Sequence, residues 1–193
     1  MLKRFFLSLM ALALAYSVGS AKEIAGVNMP ESFTVGQDKL VLNGAGLREK
    51  YALGVDVYVA GLYLKSKTGN ALQIVNADES MSIRLQLVRS VNAKDFSDNT
   101  MVGFQESCKN LGIDIKSIDK EINQFLEVFK DSIKNKDVFD ITYSKAIGVQ
   151  VFKNNGLKVT IKNMTLKRAL FGIWLTKRSE DKLNVLSKGM LGQ

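Results

Sequence analysis

Residues 42–64, LNGAGLREKYALGVDVYVAGLYL, decide how the rest of the chain is read. Asn43-Gly44-Ala45-Gly46 predicts a glycine-rich turn, where the backbone either takes positive φ or approaches a neighbour closely. A single arginine, Arg48, follows it. Tyr51 to Leu64 is then dense in valine, tyrosine and leucine, with Gly54 and Gly61 as bulges or close-contact points. Both alternating faces of this run are mainly apolar. That pattern predicts a strand covered on two sides rather than one lying on the surface.

Outward from this segment the chain reads as short elements. Ile24–Asn28 and Ser32–Val35 are predicted strands broken by Pro30, and Gly36 opens a turn into Lys39–Leu42. Met81–Val91 alternates Ile83, Leu85 and Leu87 with Arg84, Gln86 and Val88, as a strand does. From Ala93 the period becomes helical: Phe96, Thr100, Phe104, Cys108 and Leu111 recur at about four, and Gly112 ends the element. Ser117 is the predicted N-cap of the next helix, with Asp119 and Glu121 favouring its dipole. Ile118, Ile122, Phe125, Phe129 and Ile133 form its apolar stripe, a core face.

Val138–Tyr143 and Gly148–Phe152 are further strands, and Asn154-Asn155-Gly156 is a hairpin turn into Leu157–Ile161. A helix starts near Thr165 and runs through Trp174. Asn163-Met164-Thr165 fits a glycosylation sequon and an N-cap, and the cap is the preferred reading. Ser179 is predicted to cap a last helix, Glu180–Lys188, closed by Gly189. With no internal repeat or linker, the expected fold is one α+β domain with an antiparallel sheet and helices on one side.

Composition narrows the chemistry. Of 193 residues, 46% are apolar and 24% charged, which suits one domain with a sizeable core. The chain has no histidine and one cysteine, so His-based triads, Cys–His pairs, internal disulfides and four-cysteine metal sites are excluded. Cys108 on its helical stripe reads as a small core residue. The formal charge of +8 does not predict a nucleic-acid partner, because the basic residues are scattered among acids without interleaved aromatics. Neither a P-loop nor a dinucleotide fingerprint is present, and no cofactor or metal is expected.

Residues 1–21 read as a secretory signal peptide. Lys3-Arg4 supply the positive end, Phe5 to Ala15 the apolar middle and Gly19-Ser20-Ala21 the cleavage site. The apolar run is shorter than the about 20 residues a membrane span needs. Residues 22–193 are then expected as an exported domain, periplasmic or secreted, with no stable membrane span; an uncleaved anchor is the alternative.

Arg48 is the first candidate for chemistry. A guanidinium stays charged, so burying it demands an anion or a full set of acceptors. It either meets the carboxylate or enolate of a ligand or points into water beside Glu49 and Lys50. Tyr58 and Tyr63 fall on opposite faces of one strand, since their separation is odd. Only one of them shares a cavity with Arg48, and a tyrosine hydroxyl beside it would complete a carboxylate clamp.

Gly44-Ala45-Gly46-Leu47-Arg48 followed by Gly61-Leu62-Tyr63-Leu64 resembles the chalcone isomerase family, in particular its bacterial exported branch. Glu106-Ser107-Cys108 is similar to the end of that family's first helix motif, and residues 169–175 to its C-terminal helix. The resemblance implies an open-faced β-sandwich, a large antiparallel sheet with a helical layer enclosing an apolar cleft. It also implies that Arg48 matches the arginine that steadies the substrate phenolate in the plant isomerases. The other polar positions of those enzymes fall at Tyr58, near Thr100, at Ser107 and near Ala169, and none keeps its residue type. Fatty-acid-binding members of the fold pair the motif arginine with a strand tyrosine, as Arg48 and Tyr58 would.

The expected function is therefore a non-catalytic binder of a fatty acid or similar apolar carboxylate, with Arg48, Tyr58, Tyr63, Thr100 and Ser107 as candidate ligand contacts. The alternatives are an intramolecular lyase with Arg48 as its catalytic stabiliser, and a structural or interaction protein of the cell envelope.

Overall fold

The computed structural model describes residues 22–50 and 54–193. The signal-peptide reading of residues 1–21 and the predicted strand start at residues 51–53 lie outside the described residues.

Seven antiparallel strands follow one another in chain order across a single sheet. They are Ser32–Val35 (β3), Asp38–Lys50 (β4), Val55–Leu64 (β5), Met81–Leu87 (β6), Val138–Ser144 (β7), Gly148–Lys153 (β8) and Gly156–Ile161 (β9). Before them Lys22–Ile24 (β1) and Val27–Met29 (β2) form a separate hairpin. Ala25 and Gly26 between these two strands both take positive φ, so the single strand read over residues 24–28 is two. Helices Ala71–Asn76 (α1), Ala93–Leu111 (α2), Asp119–Leu126 (α3), Met164–Leu175 (α4) and Asp181–Met190 (α5) complete the described residues. This is the α+β architecture that the sequence predicts.

β5 is covered on both sides, as its composition requires. Tyr58, Ala60, Leu62 and Leu64 join the core beneath the helices, among Phe104, Phe125, Phe129 and Phe139. Val59 and Tyr63 face the other way and pack with Val27, Met29, Leu40 and Leu42 under the β1–β2 hairpin. One face therefore carries the helical layer, and the other is capped by a small apolar cluster at the β3–β5 end.

The glycine-rich segment is not a turn. It lies inside β4, and its glycines admit α5. A Cβ on Gly44 would overlap the Gly189 carbonyl oxygen and stand 2.8 Å from that of Met190; one on Gly46 would stand 3.0 Å from that of Leu186. Gly189 is likewise interior to α5 rather than its stop, and a Cβ there would lie 2.9 Å from the Ala45 carbonyl oxygen. Glycines on both partners let strand and helix backbones touch. Asn43 then fastens the far end, its Nδ2 donating to the Met190 carbonyl at 2.9 Å.

Other differences have local causes. The strand read to Val91 ends at Leu87, and Val91 makes only an isolated bridge to Ile133. Ser117 sits in a 3₁₀ turn over Ile115–Ile118 that is capped by Asp114, so α3 starts later; a second 3₁₀ turn follows it. The predicted apolar stripe from Ile118 to Ile133 is nevertheless buried throughout.

Sequence periodicity gave no sign of α1. It is held by Asn70 at its N-cap and by Lys167 of α4, whose buried ammonium donates to the carbonyls of Ile74, Val75 and Ala77 at 2.7–3.1 Å. Burial pushes the Lys167 pKa down to about 8. No described helix is long and apolar enough to cross a membrane.

Candidate functional site

Arg48 on β4 stands directly opposite Tyr58 on β5, so their side chains leave the same face of the sheet. Between this pair and the Glu49–Asp56 pair the register shifts by one residue, leaving Val57 unmatched on β5. Such a bulge re-aims side chains, and here Val55, Val57 and Tyr58 all line one cleft with Arg48 and Lys50. The cleft holds about 390 Å³. Its other walls include Phe96, Thr100 and Glu106 of α2, Ile173 and Trp174 of α4, Arg178, Ser179 and Glu180 ahead of α5, and Leu183 within it. Charged and amide side chains share these walls with apolar ones, so the cleft is more polar than the enclosed apolar cavity the resemblance implies.

Arg48 does not point into water. It is 7% exposed, and its guanidinium forms a two-pronged ion pair with Glu180, Nη1 to Oε1 at 2.7 Å and Nη2 to Oε2 at 2.8 Å. Nη1 also donates to the Glu49 carbonyl. Glu180 is the N-cap residue of α5, yet its side chain makes no capping bond. Ser179, the cap expected from sequence, instead donates its hydroxyl to Glu106.

A second pair lies alongside. Arg178 donates from Nε to Glu106 and from Nη1 to the Ile173 carbonyl at 2.8 Å. Burial pushes the Glu106 carboxyl up, but hydrogen bonds from Ser179 and Arg178 outweigh it and hold the pKa below its ordinary value.

Tyr58 is buried, and its hydroxyl accepts a hydrogen bond from Trp174 Nε1 at 3.1 Å. An accepted bond fixes the oxygen and leaves the phenolic proton to donate. Among the described residues none takes that proton. Burial raises the Tyr58 pKa, so the group remains a neutral donor.

The remaining candidates divide. Thr100 lines the cleft, with its hydroxyl donating to the Phe96 carbonyl at 2.8 Å. Tyr63 is on the opposite sheet face against Met29, and burial pushes its pKa up to about 12. Ser107 is wholly buried between helices and donates to the Ala169 carbonyl at 2.7 Å, so it does not reach the cleft. Cys108 is a buried core thiol whose pKa burial raises. Trp174, Arg178, Glu106 and Glu180 were not singled out from sequence as site residues. From sequence Glu180 reads as the first residue of the last helix, and no spacing rule ties it to an arginine 132 positions earlier.

Chemically the arrangement offers a guanidinium fork and a neutral hydroxyl donor at one end of a half-apolar groove. No group of three His, Cys, Asp or Glu side chains among the described residues is placed to hold a metal. The donors suit an anion with two oxygens, and Val55, Val57, Phe96, Ile173 and Leu183 suit an apolar body attached to it.

Comparison with known proteins gives the family and the fold. A family model described as chalcone isomerase-like matches residues 21–192. Among solved structures, a fatty-acid binding protein of Arabidopsis thaliana superposes with a TM-score of 0.67 at 21% identity, covering 86% of this chain and 92% of that one. No curated protein matches.

Proposed function

The chain belongs to the chalcone isomerase-like family, and from that premise we propose that it binds a fatty acid or similar apolar carboxylate without transforming it. The carboxylate lies between Arg48 and Tyr58, and the chain follows the apolar wall toward Ile173 and Leu183. The observation that carries this reading is the Tyr58 hydroxyl, oriented by Trp174 beside a buried guanidinium, with its proton taken by none of the described residues. The shared fold with a plant fatty-acid binding protein supports it.

Catalysis is less well supported. Thr100 spends its hydroxyl on its own helix, and Ser107 is spent on helix packing. The Tyr58 hydroxyl lines the cleft with Arg48, and its raised pKa makes it a poor proton shuttle near neutrality. One observation favours the structural alternative: Arg48 already has a carboxylate in Glu180.

Trp174 is the single tryptophan of the chain and lines the cleft, so its emission reports occupancy directly. Titration with oleate should change that emission saturably, and Arg48→Ala should weaken binding by roughly tenfold or more, the size of a lost charge-assisted pair. No saturable change, or equal affinity in Arg48→Ala, would overturn the reading. Export belongs to the same proposal: N-terminal sequencing of the protein recovered from the expressing cell's envelope fraction should begin at Lys22.

A further inference from the structure

We infer that Glu180 is a built-in competitor for the Arg48 fork, an internal carboxylate that a ligand's carboxylate must displace and that thereby selects for ligands with a two-oxygen acid group. This rests on the reading of the cleft as a carboxylate site.

The geometry is that of a stand-in ligand. Glu180 meets Arg48 through both oxygens, as a fatty acid headgroup would, and it does so inside the cleft. Its attachment is loose. The side chain is 42% exposed, against 9% for that of Arg48, and it rises from the residue just before α5 rather than from the sheet. Arg48 is fixed by β4 and cannot follow it outward.

Release of Glu180 is also compensated. At the N-cap of α5 the freed carboxylate meets the positive end of the helix dipole and the uncapped amides of the first turn. Water reaches it there as well. Arg48 has no such second option, because leaving it unpaired at 7% exposure is costly. The pair therefore has two favourable arrangements: Glu180 on Arg48, or ligand on Arg48 with Glu180 on α5. A ligand lacking a carboxylate cannot drive the exchange, since it offers the buried guanidinium nothing in return.

The test compares the wild type, Glu180→Gln and the double variant Arg48→Ala/Glu180→Gln, each titrated with oleate and with oleyl alcohol by Trp174 emission. Glu180→Gln should bind oleate roughly tenfold tighter than the wild type, the effect of removing an equally charged rival. Its affinity for oleyl alcohol should be unchanged, and the double variant should lose the gain. If the wild type binds oleate and Glu180→Gln binds it no tighter, the competitor role is wrong while the carboxylate site stands. If oleate and oleyl alcohol tighten alike, Glu180 merely narrows the cleft, and the competitor role is again wrong. If no variant binds oleate, the carboxylate site itself fails. Circular dichroism of each variant, and Glu180→Asp as a charge-keeping control that should bind like the wild type or between it and Glu180→Gln, separate these results from misfolding.

Discussion

Arg84 and Asp140 face each other across β6 and β7, joined by two bonds of 2.7 and 2.9 Å on the sheet face that carries the hairpin. Arg48 takes its carboxylate from Glu180, on the helix side, through bonds of nearly the same length. The two forks look alike in bond geometry and differ in what holds the acid. Asp140 rises from a central strand and its side chain is 6% exposed, whereas that of Glu180 is 42% exposed and rises from the end of a helix. Phe33 lies 5.0 Å from the Arg84 guanidinium and closes that pair further. An arginine–carboxylate pair is thus not by itself a sign of structure or of function. The rigidity of the anion's support separates the two cases.

The sharpest way to break the comparison is to move α5 and leave the sheet alone. Gly44→Ala places a methyl against the Gly189 backbone, where no side chain can yield, so α5 must lift from β4. The expected loss is on the order of 3 kcal/mol or more, at the upper end of overpacking effects. Urea denaturation measures it. Lifting α5 carries Glu180 away, so Trp174 emission should shift as well, while the Arg84–Asp140 pair stays closed.

Removing the rigid acid comes next in size. Asp140→Ala leaves Arg84 without its anion, and breaking a buried pair in this way costs about 3–5 kcal/mol. The Arg84 side chain is 20% exposed, which discounts the loss to about 2–3 kcal/mol. The Trp174 emission of the cleft should not change. Glu180→Ala, the matching removal on the other side, strands the still more buried Arg48 and should also cost about 2–3 kcal/mol. What distinguishes the forks is rescue: in parallel urea melts oleate should restore part of the loss in Glu180→Ala and none in Asp140→Ala, and equal rescue of the two would dissolve the distinction.

Much of this was legible from local chemistry. The two-sided burial of β5, the span of α2 up to Gly112 and the Asn154-Asn155-Gly156 hairpin each depend on residues close in the chain. Asn163 caps α4 as its spacing suggests. The misreadings share a cause: each residue type has two uses, and a distant partner chooses between them. Glycine serves a turn or a close approach, and α5 makes Gly44 the second. Serine serves as a cap or as a side-chain donor. Ser179 turns to Glu106 on α2, and the Ser117 hydroxyl to the Asp114 carbonyl. At the site, parity along β5 separates Tyr58 from Tyr63, so that half was readable. Glu180 and Trp174 arrive from the C-terminal helices, and only the packed fold brings them to Arg48.

The smallest expected effect concerns the second pair at the cleft mouth, Arg178–Glu106, which is intermediate between the two forks. Glu106 rises from the middle of α2, and its side chain is 24% exposed. Its folded-state pKa lies below the ordinary 4.5, so between the two values the unfolded chain binds more protons than the folded one. The stability that this pair contributes is therefore fully present above about pH 4.5, and it is lost as pH falls through the folded-state pKa. Asp38, Asp78 and Asp137 have lowered pKa values too, so acid weakens the protein by several routes at once. The difference between wild type and Glu106→Gln isolates one of them. In urea melts at successively lower pH the two should differ most near neutrality and converge in acid. A gap that stayed constant with pH would mean that Glu106 acts through packing rather than charge. A gap that widened in acid would reverse the sign of the shift and, with it, the claim that Arg178 is held by an ionised carboxylate.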